Sequence, residues 1–210
     1  MPSGGSGKID ELEQAAVTSL VGEFSENWQR LVQTKAEHDE RRADVLHMLR
    51  VIADRGEPPG SYEVSDSVLA RIGGYVLFEP ARGALSSLLN SGGLLLIRDD
   101  SLKMALSAFP DALADLTASE EVVLGINENS IVPILHEFIP YVSIDHRAGE
   151  PGFDHESPFI ADYRGLLGSL AFENWLDLHV LRLNRLLADF DNTIEEADFI
   201  LDRLAKAQEP

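Results

Sequence analysis

The segment Leu183–Leu204, LNRLLADFDNTIEEADFILDRL, decides the fold. Its apolar residues recur in alternating steps of four and three, the spacing that lines one face of a helix packed against another helix. This seam consists of Leu183, Leu187, Phe190, Ile194, Ala197, Leu201 and Leu204. Because no Gly or Pro lies between Gly168 and Lys206, the pattern predicts one long helix that ends near Lys206.

The segment 9–55 carries a matching stripe, and Gly22 is its only Gly or Pro. Between Gln33 and Asp44 the sequence turns polar, which predicts an exposed middle with a break near Glu37. The stripe consists of Leu12, Ala16, Leu20, Phe24, Trp28 and Leu31, and it resumes with Val45, Leu46, Leu49 and Ile52. Two such helices bury their stripes by packing together, so we predict an all-α fold with two long antiparallel helices.

Glycines and prolines between the long helices predict several short helices that close one end of the fold. Asp66 can cap the first of them, and Gly73 ends it. Pro80 and Pro110 each suit the first turn of a further helix. The expected helices span about 65–72, 80–90, 99–108 and 110–141, with a buried turn at Leu94–Ile97 and a kink at Pro133.

The Gly/Ser-rich opening Met1–Lys8 lacks the apolar region of a signal peptide. We interpret residues 1–8 as a linker or tag remnant, residues 9–206 as a single helical domain and residues 207–210 as a disordered tail. If the two long helices are antiparallel, both chain ends lie at one pole.

The chain is strongly acidic. Thirty-six Asp and Glu against seventeen Lys and Arg give a formal charge of −19. This excess disfavours nucleic acid and direct binding to anionic lipid, because both require cations on the protein. A protein or small-molecule partner remains open. The absence of cysteine excludes thiolate catalysis, disulfides and cysteine-based zinc sites.

The loop-like segment 142–158 contains two Asp-His pairs, Asp145–His146 and Asp154–His155. Imidazole and carboxylate groups suit zinc, iron or manganese, so the candidate metal ligands are His146, Asp154 and His155. Their spacing matches no metal-binding signature, and polar loops favour Asp and His in any case. A solvated loop is therefore the preferred interpretation, and no cofactor is predicted.

Other catalytic motifs are missing from the sequence. There is no G-x-S-x-G element, and Ser91–Gly92–Gly93 lacks the lysine of a phosphate-binding loop. His136–Glu137 begins a zinc-protease motif, but Pro140 stands where the second histidine belongs. His179 is expected to be a partly buried helix residue. We therefore predict that the chain is not an enzyme.

The central part of the chain carries a longer pattern. Its residues are Phe78–Glu79–Pro80, Gly83–Ala84–Leu85, Asn90–Ser91–Gly92, Leu94, Ile97–Arg98–Asp99 and Leu102–Ala105–Leu106, joined by Glu23–Phe24 with Asn27, Asp162–Tyr163 and Phe172–Glu173–Asn174. This pattern resembles an uncharacterised bacterial family with the signature F-D-P…G-A-x-x-x-L-x-x-S-G-x-L-x-L-I-R-D-x-x-L-x-x-x-L. The resemblance covers most of Ile9–Leu204, and its motif is a packing signature. The chain departs from it at Glu79, which replaces Asp, and at Gly93 and Leu96, where polar residues are commoner.

The resemblance implies a single-pass membrane protein in which one transmembrane helix leads into an extracytoplasmic helical domain. We accordingly expect a non-catalytic, membrane-tethered interaction or sensor module on the periplasmic side of the bacterial inner membrane, its anchor removed ahead of Ile9. Without the resemblance, a cytoplasmic location is expected. The expected contact regions are Gln33–Asp44 and the loop 145–158.

Two other functions remain open at this point. One is a metal-dependent enzyme that uses the loop 145–156, and the other is a cytosolic acidic inhibitor that mimics the charge of DNA. A homodimer is also predicted, because Val17, Val21 and Val32 lie beside the main stripe of the first helix and can form a second seam.

Overall fold

The computed structural model describes residues 4–54, 64, 66–142, 144 and 157–208. Within these residues the chain is helical and contains no β-strand, which confirms the all-α prediction. The elements are α1 (Gly4–Ala53), α2 (Asp66–Gly73), α3 (Gly83–Asn90), a 3₁₀-helix (Gly93–Leu96), α4 (Asp100–Ile126), a π-helical segment (Asn127–Ile131), α5 (Val132–Phe138), α6 (Tyr163–Leu167) and α7 (Leu170–Gln208). The two long helices expected from the apolar stripes are α1 and α7.

The chain forms two compact units, each assembled from separate stretches of sequence. Unit 1 consists of Met1–Lys35, Phe78–Thr117 and Ala188–Pro210, and unit 2 consists of Ala36–Leu77 and Ala118–Leu187. The single domain expected over residues 9–206 stays a prediction. Helix α1 begins at Gly4, inside the segment 1–8 that composition marks as a linker.

In unit 1 the two long helices run antiparallel, because three ion pairs fix their direction. The pairs are Glu13–Arg98 (3.2 Å), Asp99–Arg203 (3.2 Å) and Lys35–Asp191 (3.3 Å). The start of α1 therefore lies by the same Arg98–Asp99 turn as the end of α7. The Phe24 ring of α1 also packs against the Phe109 ring, which lies on α4, with centroids 4.8 Å apart.

Helix α3 starts later than its sequence suggests. Glu23 Oε2 accepts a hydrogen bond from the Ala84 N–H (2.5 Å), and Oε1 accepts one from the Leu85 N–H (3.0 Å). A carboxylate in this position satisfies free N–H groups of the first turn and interacts favourably with the helix dipole. The helix consequently begins at Gly83, and the expectation that Pro80 occupies its first turn is wrong.

The 3₁₀-helix occupies the segment expected to be a buried turn. Gly92 precedes it with φ of 72°, a left-handed conformation that favours glycine. Gly93 and Ile97 are buried, whereas Leu95 is 91% exposed. The rejection of a strand here is correct, but the burial is only partial.

In unit 2, polar contacts join α1 to the other helices. Arg71 on α2 makes two bonds with Asp44 on α1, at 2.7 and 3.1 Å. Arg42 donates to Asn184 Oδ1 on α7 (3.2 Å). The side chain of Asp162 caps α6 by accepting from the Gly165 N–H (2.7 Å).

Of the two prolines expected to shape the helices between residues 99 and 141, only Pro133 stands at a helix irregularity. Pro110 lies inside the continuous helix α4, so the expected boundary between Ala108 and Pro110 is absent. Pro133 stands in the first turn of α5, directly after the π-helical segment. The π turn and the proline together mark the place where a kink was predicted.

The middle of α1 is not an exposed break. Helix α1 continues without interruption from Gly4 to Ala53. Thr34, His38 and Arg41 are buried, and they continue the spacing of three and four that runs from Leu31 to Val45. Because the register of the helix carries these polar residues inward, the prediction of an exposed Gln33–Asp44 stretch is wrong for this face.

The buried face of α7 follows the predicted seam with a shift of one position at two sites. Leu183, Leu187, Phe190, Ala197 and Leu204 are buried, as expected. Thr193 and Ile200 are also buried, whereas Ile194 and Leu201 are only half-buried. Thr193 tolerates burial because its hydroxyl donates to the Asp189 carbonyl (2.8 Å).

The second seam predicted on α1 loses a member, since Val17 is fully buried while Val32 is 39% exposed. A homodimer therefore stays a prediction without that seam.

Among the described helices, none combines the length and apolar content that crossing a bilayer requires.

Candidate functional site

A cleft of about 500 Å³ lies between α4 and α7 in unit 1. One wall is formed by Ala105, Ala108 and Ala112, whose small side chains leave room beside the helix. The other residues that line the cleft are Asp115, Asp189, Asn192, Thr193, Glu195, Glu196 and Phe199. We call this site the acidic cleft.

The acidic cleft concentrates negative charge. Four of its residues are carboxylates, and none of its described lining residues is a Lys, Arg or His. Burial raises the pKa of Glu196 above the ordinary carboxyl value, and the negative charge of Asp115 raises it further. A neighbouring negative charge disfavours the ionised form of a carboxyl group, and burial has the same effect.

An aromatic ring closes one side of the acidic cleft. The guanidinium carbon of Arg203 lies 5.2 Å from the centroid of the Phe199 ring. Arg203 also pairs with Asp99 at 3.2 Å. Arg203 is thus already engaged with another carboxylate and with an aromatic face.

Unit 2 contains a second group of polar residues, buried between α1 and α7. His38 and Arg41 lie on α1, and the Arg41 Nη1 is 3.3 Å from the His38 Nδ1. The Arg41 Nε donates to the Arg71 carbonyl (2.8 Å). On α7, the ring of Trp175 stacks on that of His179 with centroids 4.6 Å apart. We call His38, Arg41, Trp175 and His179 the buried His-Arg cluster.

Both histidines of the cluster are held in the neutral form. Burial lowers the pKa of His38 to about 4, and the nearby Arg41 charge adds to the effect. Burial lowers the pKa of His179 to about 3, with further contributions from Arg41 and His38. Because Arg41 and His38 act on His179, the cluster is electrostatically connected across the two helices. His179 is fully buried, which corrects the expectation of partial burial.

The candidate metal ligands His146, Asp154 and His155 lie outside the described residues, together with most of the loop 145–158. Over the part of the chain that the structure does describe, no three His, Asp or Glu side chains converge as a metal site requires. The metal-loop hypothesis therefore stays a prediction.

Neither site was predicted from the sequence, and the reason differs between the two. Carboxylates are so abundant on this chain that those facing one another cannot be distinguished from the rest. The buried His-Arg cluster left a usable signal, since His38 and Arg41 lie at the steps of three and four that connect the stripe between Leu31 and Val45.

Comparison of the chain with family models, with curated proteins and with solved structures finds no match.

Proposed function

We propose that this chain is a non-catalytic interaction module whose acidic cleft binds an alkylammonium group. The observation that carries this proposal is a cleft of about 500 Å³ whose lining includes four carboxylates, among them Asp115 and Glu196, and no described Lys, Arg or His. A bound cation would offset the negative charge of Asp115 that contributes to the raised pKa of Glu196, and would favour the ionised form of Glu196. The alanine wall and the Phe199 ring suit the aliphatic part of such a group.

An alkylammonium group can come from a free polyamine or from a lysine side chain of a protein. Both fit the formal charge of −19, because a negative field attracts cations and accelerates their association. The group needs no chemistry from the protein beyond charge and shape.

The direct test is calorimetric titration of the protein with spermidine and, separately, with a lysine-rich peptide. We expect saturable binding that weakens as salt is added, since exposed charges are screened. The variant Asp115→Asn with Glu196→Gln should lose most of this binding. The matched control is Glu121→Gln with Asp177→Asn, which makes the same change in net charge with exposed residues outside the cleft.

The two variants distinguish a specific binding site from attraction by the overall negative charge of the protein. Equal loss in both would mean that only the overall charge attracts cations, and the acidic cleft would be rejected as the binding site. Binding of the peptide without spermidine would identify a protein partner, whereas binding of spermidine alone would identify a small molecule.

We further propose that the module acts outside the cytoplasm and is tethered to the inner membrane. This part rests on the family resemblance of residues 78–106 and of Glu23 with Asn27, and on no contact in the fold. Fractionation of cells that express the full-length gene product, followed by protease treatment from the periplasmic side, tests it. Recovery in the cytosolic supernatant would refute the tethered location and favour a cytosolic acidic protein.

A further inference from the structure

The buried His-Arg cluster of unit 2 contains a cation without a carboxylate partner. Arg41 is 6% exposed, and no described carboxylate pairs with it within 4.0 Å. Its hydrogen bonds go to a backbone carbonyl and to the His38 ring, and both of these partners are neutral. A buried charge normally has a counter-charge, because its removal from water costs several kcal/mol.

The same cluster contains hydrogen-bonding groups that the described residues leave unused. His179 is fully buried, and neither of its ring nitrogens has a hydrogen-bond partner there. The indole Nε1 of Trp175, stacked on the same imidazole, also lacks one. A neutral imidazole carries one N–H, and an indole nitrogen can only donate. The Arg41 charge acts on His179, so the cluster combines a buried cation with two unused N–H donors and one unused ring acceptor.

We propose that the buried His-Arg cluster binds one small inorganic anion, of which chloride is the natural probe. The anion supplies a counter-charge in direct contact with Arg41 and accepts from the unused donors of His179 and Trp175. The site takes a small ion because Arg41, Trp175 and His179 are all at most 6% exposed. A larger carboxylate-bearing molecule would need an opening to solvent.

Anion binding at this site is coupled to proton uptake. The charges that act on His179 are Arg41 and His38, and those that act on His38 are Arg41 and Asp39. Arg41 is in turn influenced by Glu37 and Asp44, and Asp44 is bonded to Arg71. Burial is the main cause of the lowered pKa of both imidazoles, and the Arg41 charge adds to it. An anion beside Arg41 offsets that second contribution, so chloride should bind more tightly as the pH falls.

The test uses the wild-type protein in sodium chloride and in sodium gluconate at equal ionic strength. Gluconate is too large for a closed site, so a saturable rise in Tm with chloride alone supports the proposal. The rise should be larger at pH 5.5 than at pH 7.5. Identical Tm values in the two salts at both pH values would overturn it.

A second measurement does not depend on stability. Crystals grown with sodium bromide should show an anomalous peak within about 3.5 Å of Arg41 and of His179 Nδ1 or Nε2. Electron density that fits only water there, with bromide confined to the surface, would overturn the proposal. The variant His179→Phe keeps the stack on Trp175 and should abolish the chloride-specific rise in Tm, while His47→Gln, at an exposed position of the same helix as Arg41, should retain it.

Discussion

Asn27 and Ala81 are joined by a reciprocal pair of hydrogen bonds within unit 1. The Asn27 Nδ2 donates to the Ala81 carbonyl (2.8 Å), and the Ala81 N–H donates to the Asn27 Oδ1 (2.8 Å). The Asn27 side chain is 2% exposed, so neither bond is exchanged readily for water. One helical side chain thus fixes the extended segment that leads into α3, next to the Glu23 cap on the same helix.

Substitution of Asn27 should destabilise the protein measurably. Asn27→Ala leaves the Ala81 N–H and carbonyl without their partners, which costs about 1–3 kcal/mol for each buried group left unsatisfied. We expect the free energy of unfolding in urea to fall by about 2–4 kcal/mol, after correction for the higher helix propensity of alanine. The control is Asn174→Ala, an exposed asparagine inside α7, and it should be neutral or slightly stabilising. Equal effects at both positions would contradict the structural role of the pair.

The stability of the protein should fall as the pH drops below neutral. His38 and His179 have folded-state pKa values of about 4 and about 3, below the ordinary value of 6.5. Above pH 6.5 both states of the chain hold these rings neutral, so the histidines add no pH dependence. Between pH 6.5 and about 4 the unfolded chain takes up protons that the folded chain refuses, which lowers stability by up to about 1.4 kcal/mol per pH unit for each ring.

Urea unfolding at pH 7.5, 6.0 and 5.0 measures this dependence. The variant His179→Phe should reduce the slope over that range, and His47→Gln should leave it unchanged because His47 is exposed. A slope that is the same in wild type and in His179→Phe would show that His179 does not titrate differently in the two states.

The long helices could be predicted from the sequence, but their polar core positions could not be assigned by hydrophobicity alone. The steps of three and four in α1 and α7 determine which face is buried, and local propensity does not oppose them. Polarity alone places Thr34, His38 and Arg41 on the surface. The same steps of three and four place them inside. Burial of this face of α1 overrides polarity at these positions, and the register was the better guide.

The acidic cleft could not be predicted from the sequence. Asp115 and Glu196 are 81 positions apart, and nothing local to either residue identifies the other as its neighbour. Glu23 and Asn27, in contrast, belong to a pattern that is visible in the sequence. Their hydrogen bonds to Ala81, Ala84 and Leu85 connect the two parts of that pattern.

The repulsion in the acidic cleft can be measured in the absence of any ligand. The pKa of Glu196 is raised in the folded state, so its ionisation at neutral pH opposes folding, and this penalty disappears as the pH falls through the folded-state pKa. Asp115→Asn removes one source of the shift. We expect a small gain in unfolding free energy at pH 7 and low salt, which diminishes in 0.5 M sodium chloride and at pH 4. A gain of the same size under all three conditions would indicate helix propensity instead of charge.

Pro110 offers a test of whether its position in α4 carries strain or useful packing. It lies inside the helix, where it cannot donate to the Leu106 carbonyl and where its ring crowds that carbonyl. Pro110→Ala restores the bond and should raise the free energy of unfolding by about 1–2 kcal/mol, since relief of the helix penalty of about 3 kcal/mol is partly offset by the greater freedom of the unfolded chain.

Pro133→Ala is the matched control. Pro133 directly follows the π-helical turn, where the α-type bonding pattern is already interrupted, so this variant should gain less than Pro110→Ala. Pro110 also lines a groove with Leu85 and Leu113; a loss of stability in Pro110→Ala would mean that the packing of its ring in this groove outweighs the missing bond.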